Sequence, residues 1–147
     1  MALYYPLFLN IQGRTAVVVG GGRVAARKIA GLLEAGARVR VVAPEISRQV
    51  AAHEIERRPY RTGDLKGAVL AFAATDSRDV NHAVAVEAAR RRIPVNVADS
   101  AAESTFIVPA RITRGEMQIA ISTGGRNPRL AGQMRRRLEA ELRWAAK

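Results

Sequence analysis

The sequence predicts an α/β fold, a doubly wound parallel sheet followed by a small C-terminal hairpin-plus-helix segment. Three observations lead there. Short apolar runs alternate with helical patterns over residues 15–98, as βαβ units require. The first run ends in Gly20-Gly21-Gly22 and a helical pattern follows at once. After Pro109 the alternation stops, and two strand-like runs lead into one long amphipathic stretch.

The elements follow in order. Residues 15–19 form the first strand and residues 24–35 the first helix, with Ala25, Ile29, Leu32 and Leu33 on one stripe and Gly36 as its stop. The second strand spans 38–43 and ends at Pro44. A short helix over 46–52 is expected to lead into a third strand over 55–60. The fourth strand spans 69–74. Asp76 is the expected cap of the next helix, with Asp79 completing a box-like start. That helix runs to about residue 91 and buries Val80, Val84 and Ala88. A fifth strand spans 95–98, and 106–108 is a candidate sixth. Beyond Pro109, residues 111–113 and 117–122 pair as a hairpin joined at Arg114-Gly115. Asn127 caps the last helix, Pro128 is its first residue, and residues 128–145 carry Leu130, Met134, Leu138 and Leu142 at four-residue spacing. A hairpin and one amphipathic helix bury themselves poorly, so the segment either packs on its own sheet or is a dimerisation element, and the second is expected. The expected division is therefore a dinucleotide-binding domain over 1–109 and a dimerisation segment over 110–147, the chain forming a homodimer.

Bulk properties narrow the partners. The 147 residues are 48% apolar, enough for a core, and contain no cysteine, which excludes disulfides and thiolate chemistry. The net charge of +11 fits nucleic acid, an anionic membrane surface or a highly anionic small molecule, and a solvated arginine-rich face explains it equally well. Aromatic residues make up 5% and no recognition motif is present, so nucleic acid is not the expected partner. No apolar run approaches the ~18 residues of a membrane span, and no membrane partner is expected. The opening residues lack a basic n-region, so the expected location is cytoplasmic. His53 and His82, both placed on helices, lack metal-ligand spacing, and no metal site is expected.

Gly20-x-Gly22-x-x-Ala25 sits between a strand and a helix, the context in which this fingerprint binds a dinucleotide. The first glycine permits the turn, the second admits the pyrophosphate, and the small third residue lets helix and strand pack closely. The N–H groups and partial positive charge of the helix start face the phosphates. The expected cofactor contacts are Gly20, Gly21, Gly22, Arg23 and Val24, with Ala43, Pro44, Thr75 and Asp76 at the carboxyl ends of neighbouring strands. This makes the sheet Rossmann-like. The acid that usually ends the second strand is missing. Main-chain groups, Ser47 or Glu45 are left to hold the ribose, and the absence of a clear 2′-phosphate pocket favours NAD over NADP, although Arg48 is near.

Asp99 follows the fifth strand at the same edge. A carboxylate there can act as a general base, or it can simply cap a turn with Ser100. Ser122-Thr123-Gly124-Gly125 is a second glycine loop before a helix, an anion site or a plain turn.

Together these segments resemble the precorrin-2 dehydrogenase family, the dehydrogenase domain of siroheme synthases. The resemblance rests on Tyr5-Pro6-Leu7-Phe8-Leu9, on Val17 through Lys28 with the three glycines, and on Ala73-Ala74-Thr75-Asp76. It extends over Val95-Asn96-Val97-Ala98-Asp99, Ser104 through Pro109, and Ile119 through Pro128, and so over nearly the whole chain. It implies NAD-dependent oxidation of precorrin-2, an anionic tetrapyrrole, to sirohydrochlorin. It also implies that Asp99 is the catalytic base and that Ser122, Thr123, Gly124, Gly125 and Asn127 bind the substrate. The +11 charge then has a use, since arginines bind carboxylates well. Many members continue into a further helical region, whereas this sequence stops at Lys147, and a second, sirohydrochlorin ferrochelatase activity is left open. The competing expectation is a non-enzymatic NAD(H)-sensing domain of the potassium-transport type. That type usually has the second-strand acid and has no need of Asp99 or the Gly124-Gly125 loop.

Overall fold

Thr15–Val19, a valine-rich run suited to burial on both faces, forms β1 at the centre of a five-stranded sheet. The structure is a computed structural model and describes residues 4–142. It comprises two units, Leu7–Phe106 and a second that joins Met1–Pro6 to Ile107–Lys147.

In the first unit β1 is followed by α1 (Arg23–Glu34), β2 (Arg38–Val42), β3 (Glu54–Glu56), β4 (Leu70–Ala73), α2 (Arg78–Arg91) and β5 (Val95–Val97). The strand order is β3-β2-β1-β4-β5 and every pairing is parallel. The order reverses between β1 and β4, which opens a crevice at the carboxyl edge. Alternation along β1 feeds two cores. Ala16 and Val18 pack with Ala25, Ile29 and Leu32 of α1, whereas Val17 and Val19 pack with Val84, Ala85 and Ala88 of α2. Phe72 of β4 stacks edge-on to Phe106 with centroids 5.4 Å apart, and the Lys28 ammonium of α1 lies 5.4 Å over the Phe72 ring.

Four sequence expectations are corrected. No helix forms over 46–52. That stretch is a series of turns in which Ser47 N–H donates to Gly21 O at 2.8 Å and Ser47 O accepts from Val50 N–H. His53 is accordingly not helical. Its Nδ1 accepts from Val39 N–H and its own N–H donates to Val39 O, so it extends the edge of β2. The third strand covers only 54–56. Residues 106–108 form no strand, because the preceding Thr105 already pairs with Val95 through its backbone N–H and its hydroxyl, and the chain then leaves the sheet. The cap of α2 is Ser77, not Asp76: Ser77 Oγ accepts from Val80 N–H at 3.3 Å. Two helices rather than three therefore accompany the sheet.

In the second unit β6 (Ala110–Arg114) and β7 (Met117–Ile121) form the antiparallel hairpin, Arg114 opposite Met117, with Gly115 at φ 57° in the turn. Asn127 caps α3 (Pro128–Glu141), its Oδ1 accepting from Leu130 N–H at 2.9 Å. The helix packs against β6 and β7. Ile112 and Ala131 are buried, but Leu130 is 44% and Met134 39% exposed. The expected helix end at 145 lies outside the described residues.

Candidate functional site

The three glycines after β1 have three different jobs. Gly20 has φ +129°, and a Cβ there would stand 2.2 Å from the Ala74 carbonyl oxygen at the end of β4. Gly21 has no room either, because a Cβ would stand 2.1 Å from Glu45 O. These two close the loop against the strands on either side. Gly22 is different. A Cβ there meets nothing within 4 Å, and its φ of −88° is open to any residue. Its lack of a side chain leaves free space in front of α1. No side chain caps that helix start, so the N–H groups of its first turn point at the same space with the positive end of the dipole. Ala25, fully buried, lets α1 approach β1. This arrangement fits a pyrophosphate.

Beside the loop lies a cleft of about 270 Å³ with largely apolar walls. Val19, Val42, Ala43, Pro44, Thr75 and Asp76 line it at the carboxyl ends of β1, β2 and β4. Four expected cofactor residues thus meet in one place. Ser47, one of the alternatives for the ribose, keeps its hydroxyl proton for a ligand. Its Oγ accepts from Gln49 N–H at 3.2 Å, and its own N–H holds the loop after β2 on Gly21.

Sequence reasoning missed Asn81. It is fully buried on α2. Its Oδ1 accepts from Thr75 N–H at 3.1 Å and lies 2.7 Å from the Thr75 hydroxyl, while its Nδ2 donates to Thr75 O at 3.0 Å. One amide side chain thereby replaces a strand partner for Thr75 and fixes the rim of the cleft. The available signal was an asparagine one residue off the Val80, Val84, Ala88 stripe. Tyr60, also in the cleft wall, was missed as well; its hydroxyl donates to Glu87. Burial and that bond hold the phenol above its usual range.

Asp99 lies in the turn after β5, at the same edge of the sheet. The turn is not held by its carboxylate. Ser104 Oγ accepts from Val97 N–H at 2.9 Å and lies 3.0 Å from Ser100 O. Of the described residues, Arg78 is the one that hydrogen-bonds Asp99, Nη1 to Oδ1 at 2.9 Å. The other arm of Arg78 donates to Glu103, and His82 Nδ1 lies 2.5 Å from Glu103. Arg78, then His82, holds the Glu103 carboxyl below the usual carboxylate range.

In the second unit the loop 122–127 folds on itself. Ser122 Oγ accepts from Gly124 N–H and Thr123 Oγ1 from Asn127 N–H, both at 3.0 Å, with Gly124 and Gly125 at φ 66° and 79°. Unlike α1, the helix behind this loop spends the Leu130 N–H on its own Asn127 cap. The hydroxyl protons of Ser122 and Thr123 remain for a ligand. Among the described residues no group of three His, Cys, Asp or Glu side chains is placed to hold a metal.

Comparison with known proteins agrees with this geometry. The family described as putative NAD(P)-binding matches residues 7–110, and the sirohaem biosynthesis protein central family matches residues 114–141. The siroheme synthase of Pseudomonas entomophila (strain L48) is 46% identical over 143 residues, covering 93% of this chain and 31% of that protein. That of Nitrosomonas eutropha (strain DSM 101675 / C91 / Nm57) is 44% identical over 144 residues, covering 93% and 30%. The chain thus spans about a third of the length of these relatives. Among solved structures, SirC, precorrin-2 dehydrogenase, superposes with a TM-score of 0.76 at 31% identity, covering 94% of this chain and 71% of that one. The chain therefore belongs to the family of NAD(P)-binding siroheme-biosynthesis proteins that includes precorrin-2 dehydrogenase.

Proposed function

We propose that the chain oxidises precorrin-2 to sirohydrochlorin with NAD as hydride acceptor. The observation that carries this reading is the uncapped start of α1, with open space at Gly22, on the same sheet edge as the partly exposed carboxylate of Asp99. Dehydrogenation removes a hydride and a proton. NAD, when bound, supplies the hydride acceptor. The residues of the chain do the rest. Gly22 and the N–H groups of Arg23 and Val24 hold the diphosphate, Gly20 and Gly21 shape the loop, and Ala43, Pro44, Thr75 and Asp76 wall the nucleoside. Asp99 takes the proton that the substrate loses along with the hydride. Ser122 and Thr123 donate their hydroxyl protons to substrate carboxylates, with Gly124, Gly125 and Asn127 shaping that loop.

On this reading residues 110–147 complete the tetrapyrrole site and form a homodimer through α3, where Leu130 and Met134 lie exposed. The protein works in the cytoplasm. Among the described residues no helix is long and apolar enough to cross a membrane.

Asp99→Asn tests the assignment of the base. It keeps the shape and removes the basicity, so turnover of precorrin-2 falls by ~10²–10⁴ with NAD affinity unchanged. Near-normal turnover of Asp99→Asn rejects Asp99 as the base.

A further inference from the structure

The ion-paired cluster beside Asp99 is unexplained by cofactor binding. It joins two pairs at four-residue spacing, Arg78 and His82 on α2 with Asp99 and Glu103 on the loop after β5. Arg78 is the first residue of α2, immediately after the Ser77 cap. A cation there opposes the helix dipole. All four side chains are at least a quarter exposed or nearly so, with Arg78 at 46% and Asp99 at 39%, so the ion pairs add little to folding stability. A charge placed against the dipole, in an exposed network, breaks a local rule without a stabilising return, which is the pattern of a functional site.

We propose that Arg78 is the positioning residue for Asp99. The inference rests on the reading of Asp99 as the base. An aspartate on an exposed turn samples several rotamers. The backbone of this turn is fixed by Ser104, so the remaining freedom is that of the carboxylate itself. Arg78 removes it. Its guanidinium is planar and uses separate arms for Asp99 and Glu103, so the bond to Glu103 fixes the plane in which Asp99 is met. His82 bonds the second oxygen of Glu103 and steadies that anchor. Asp99 Oδ1 is occupied by Arg78, and Oδ2 is left as the oxygen that takes the proton.

Four variants of the whole chain test this: Arg78→Met, Arg78→Lys, Asp99→Asn and the Arg78→Met/Asp99→Asn double. In the wild-type background Arg78→Met lowers kcat with precorrin-2 about 10- to 100-fold, leaves the KM for NAD and the melting temperature unchanged, and Arg78→Lys recovers part of the loss. In the Asp99→Asn background Arg78→Met costs nothing further, because there is no base left to aim. Wild-type kcat in Arg78→Met overturns the proposal. So does an equal loss in both backgrounds, which would mean that Arg78 acts on the substrate directly. Full activity of Asp99→Asn itself marks the separate failure of the base assignment.

Discussion

At the scale of single residues, the glycine loop divides its labour between folding and binding. Gly20 and Gly21 have no space for a side chain, and Gly22 has space that the protein does not fill. Gly22→Asp is therefore expected to fold normally and lose NAD, its carboxylate repelling the diphosphate. Calorimetry should show no heat of binding alongside an unaltered far-UV spectrum and melting point; retained affinity would count against the fingerprint. Gly20→Ala, by contrast, must push against the Ala74 carbonyl at a φ of +129° and should lower the melting point. Asn81→Leu, similar in size, strips Thr75 of its three contacts, leaving its backbone groups unpaired. That change is expected to destabilise by about 1–3 kcal/mol and to raise the KM for NAD; a variant with unchanged NAD kinetics would confine Asn81 to a structural role. The fingerprint was legible in sequence because its residues are contiguous and their spacing is the signal. Asn81 and Arg78 were not, because each matters through a side-chain bond that no periodicity announces, Asn81 to Thr75 six residues back and Arg78 to Asp99 21 residues on.

At the scale of elements, the strands and helices with strong periodicity appear where the pattern puts them, and the weaker ones do not. Strands β1, β2, β4 and β5, helices α1 and α2, the hairpin and the start of α3 were all readable from apolar spacing and turn residues. The stretch 46–52 looked helical, yet it is drawn into turns by the Ser47 bond to Gly21. The cap of α2 moved one residue because Ser77 reaches Val80 N–H, which puts Arg78 rather than Ser77 at the first helical position. Helix α2 also carries Glu87, buried to 4% exposure. Burial pushes its carboxyl up, but the bonds from Tyr60, Gly63 N–H and Arg91 outweigh this and hold it below the usual range. A depressed carboxylate stabilises the fold above its unfolded pKa of about 4.3, and the contribution is lost as pH falls through the folded value. Glu87→Gln should then be less stable than the wild type at neutral pH by about 1–3 kcal/mol, with the gap narrowing on acidification below about pH 4. Denaturant titrations across that range measure it, and a pH-independent gap would contradict the assignment.

At the scale of the whole molecule, the second unit leaves a surface that its own hairpin does not cover. Ala131 is buried against the hairpin side of α3, while Leu130 and Met134 are exposed beside Leu138, which is half-buried. If this face is the dimer contact, Leu130→Glu with Met134→Glu gives a soluble monomer in light scattering, while the wild type runs as a dimer; a wild-type monomer at micromolar concentration would remove the argument. On the proposed function the charge of +11 is a field that draws a polycarboxylate substrate, and the on-rate should then fall with salt. What separates an enzyme from a protein that only senses NAD is turnover. The direct measurement is anaerobic incubation of the purified chain with precorrin-2 and NAD, following both products by their absorbance. Sirohydrochlorin and NADH should appear together in equal amounts over many turnovers. NAD binding without NADH formation on adding precorrin-2 would contradict the account.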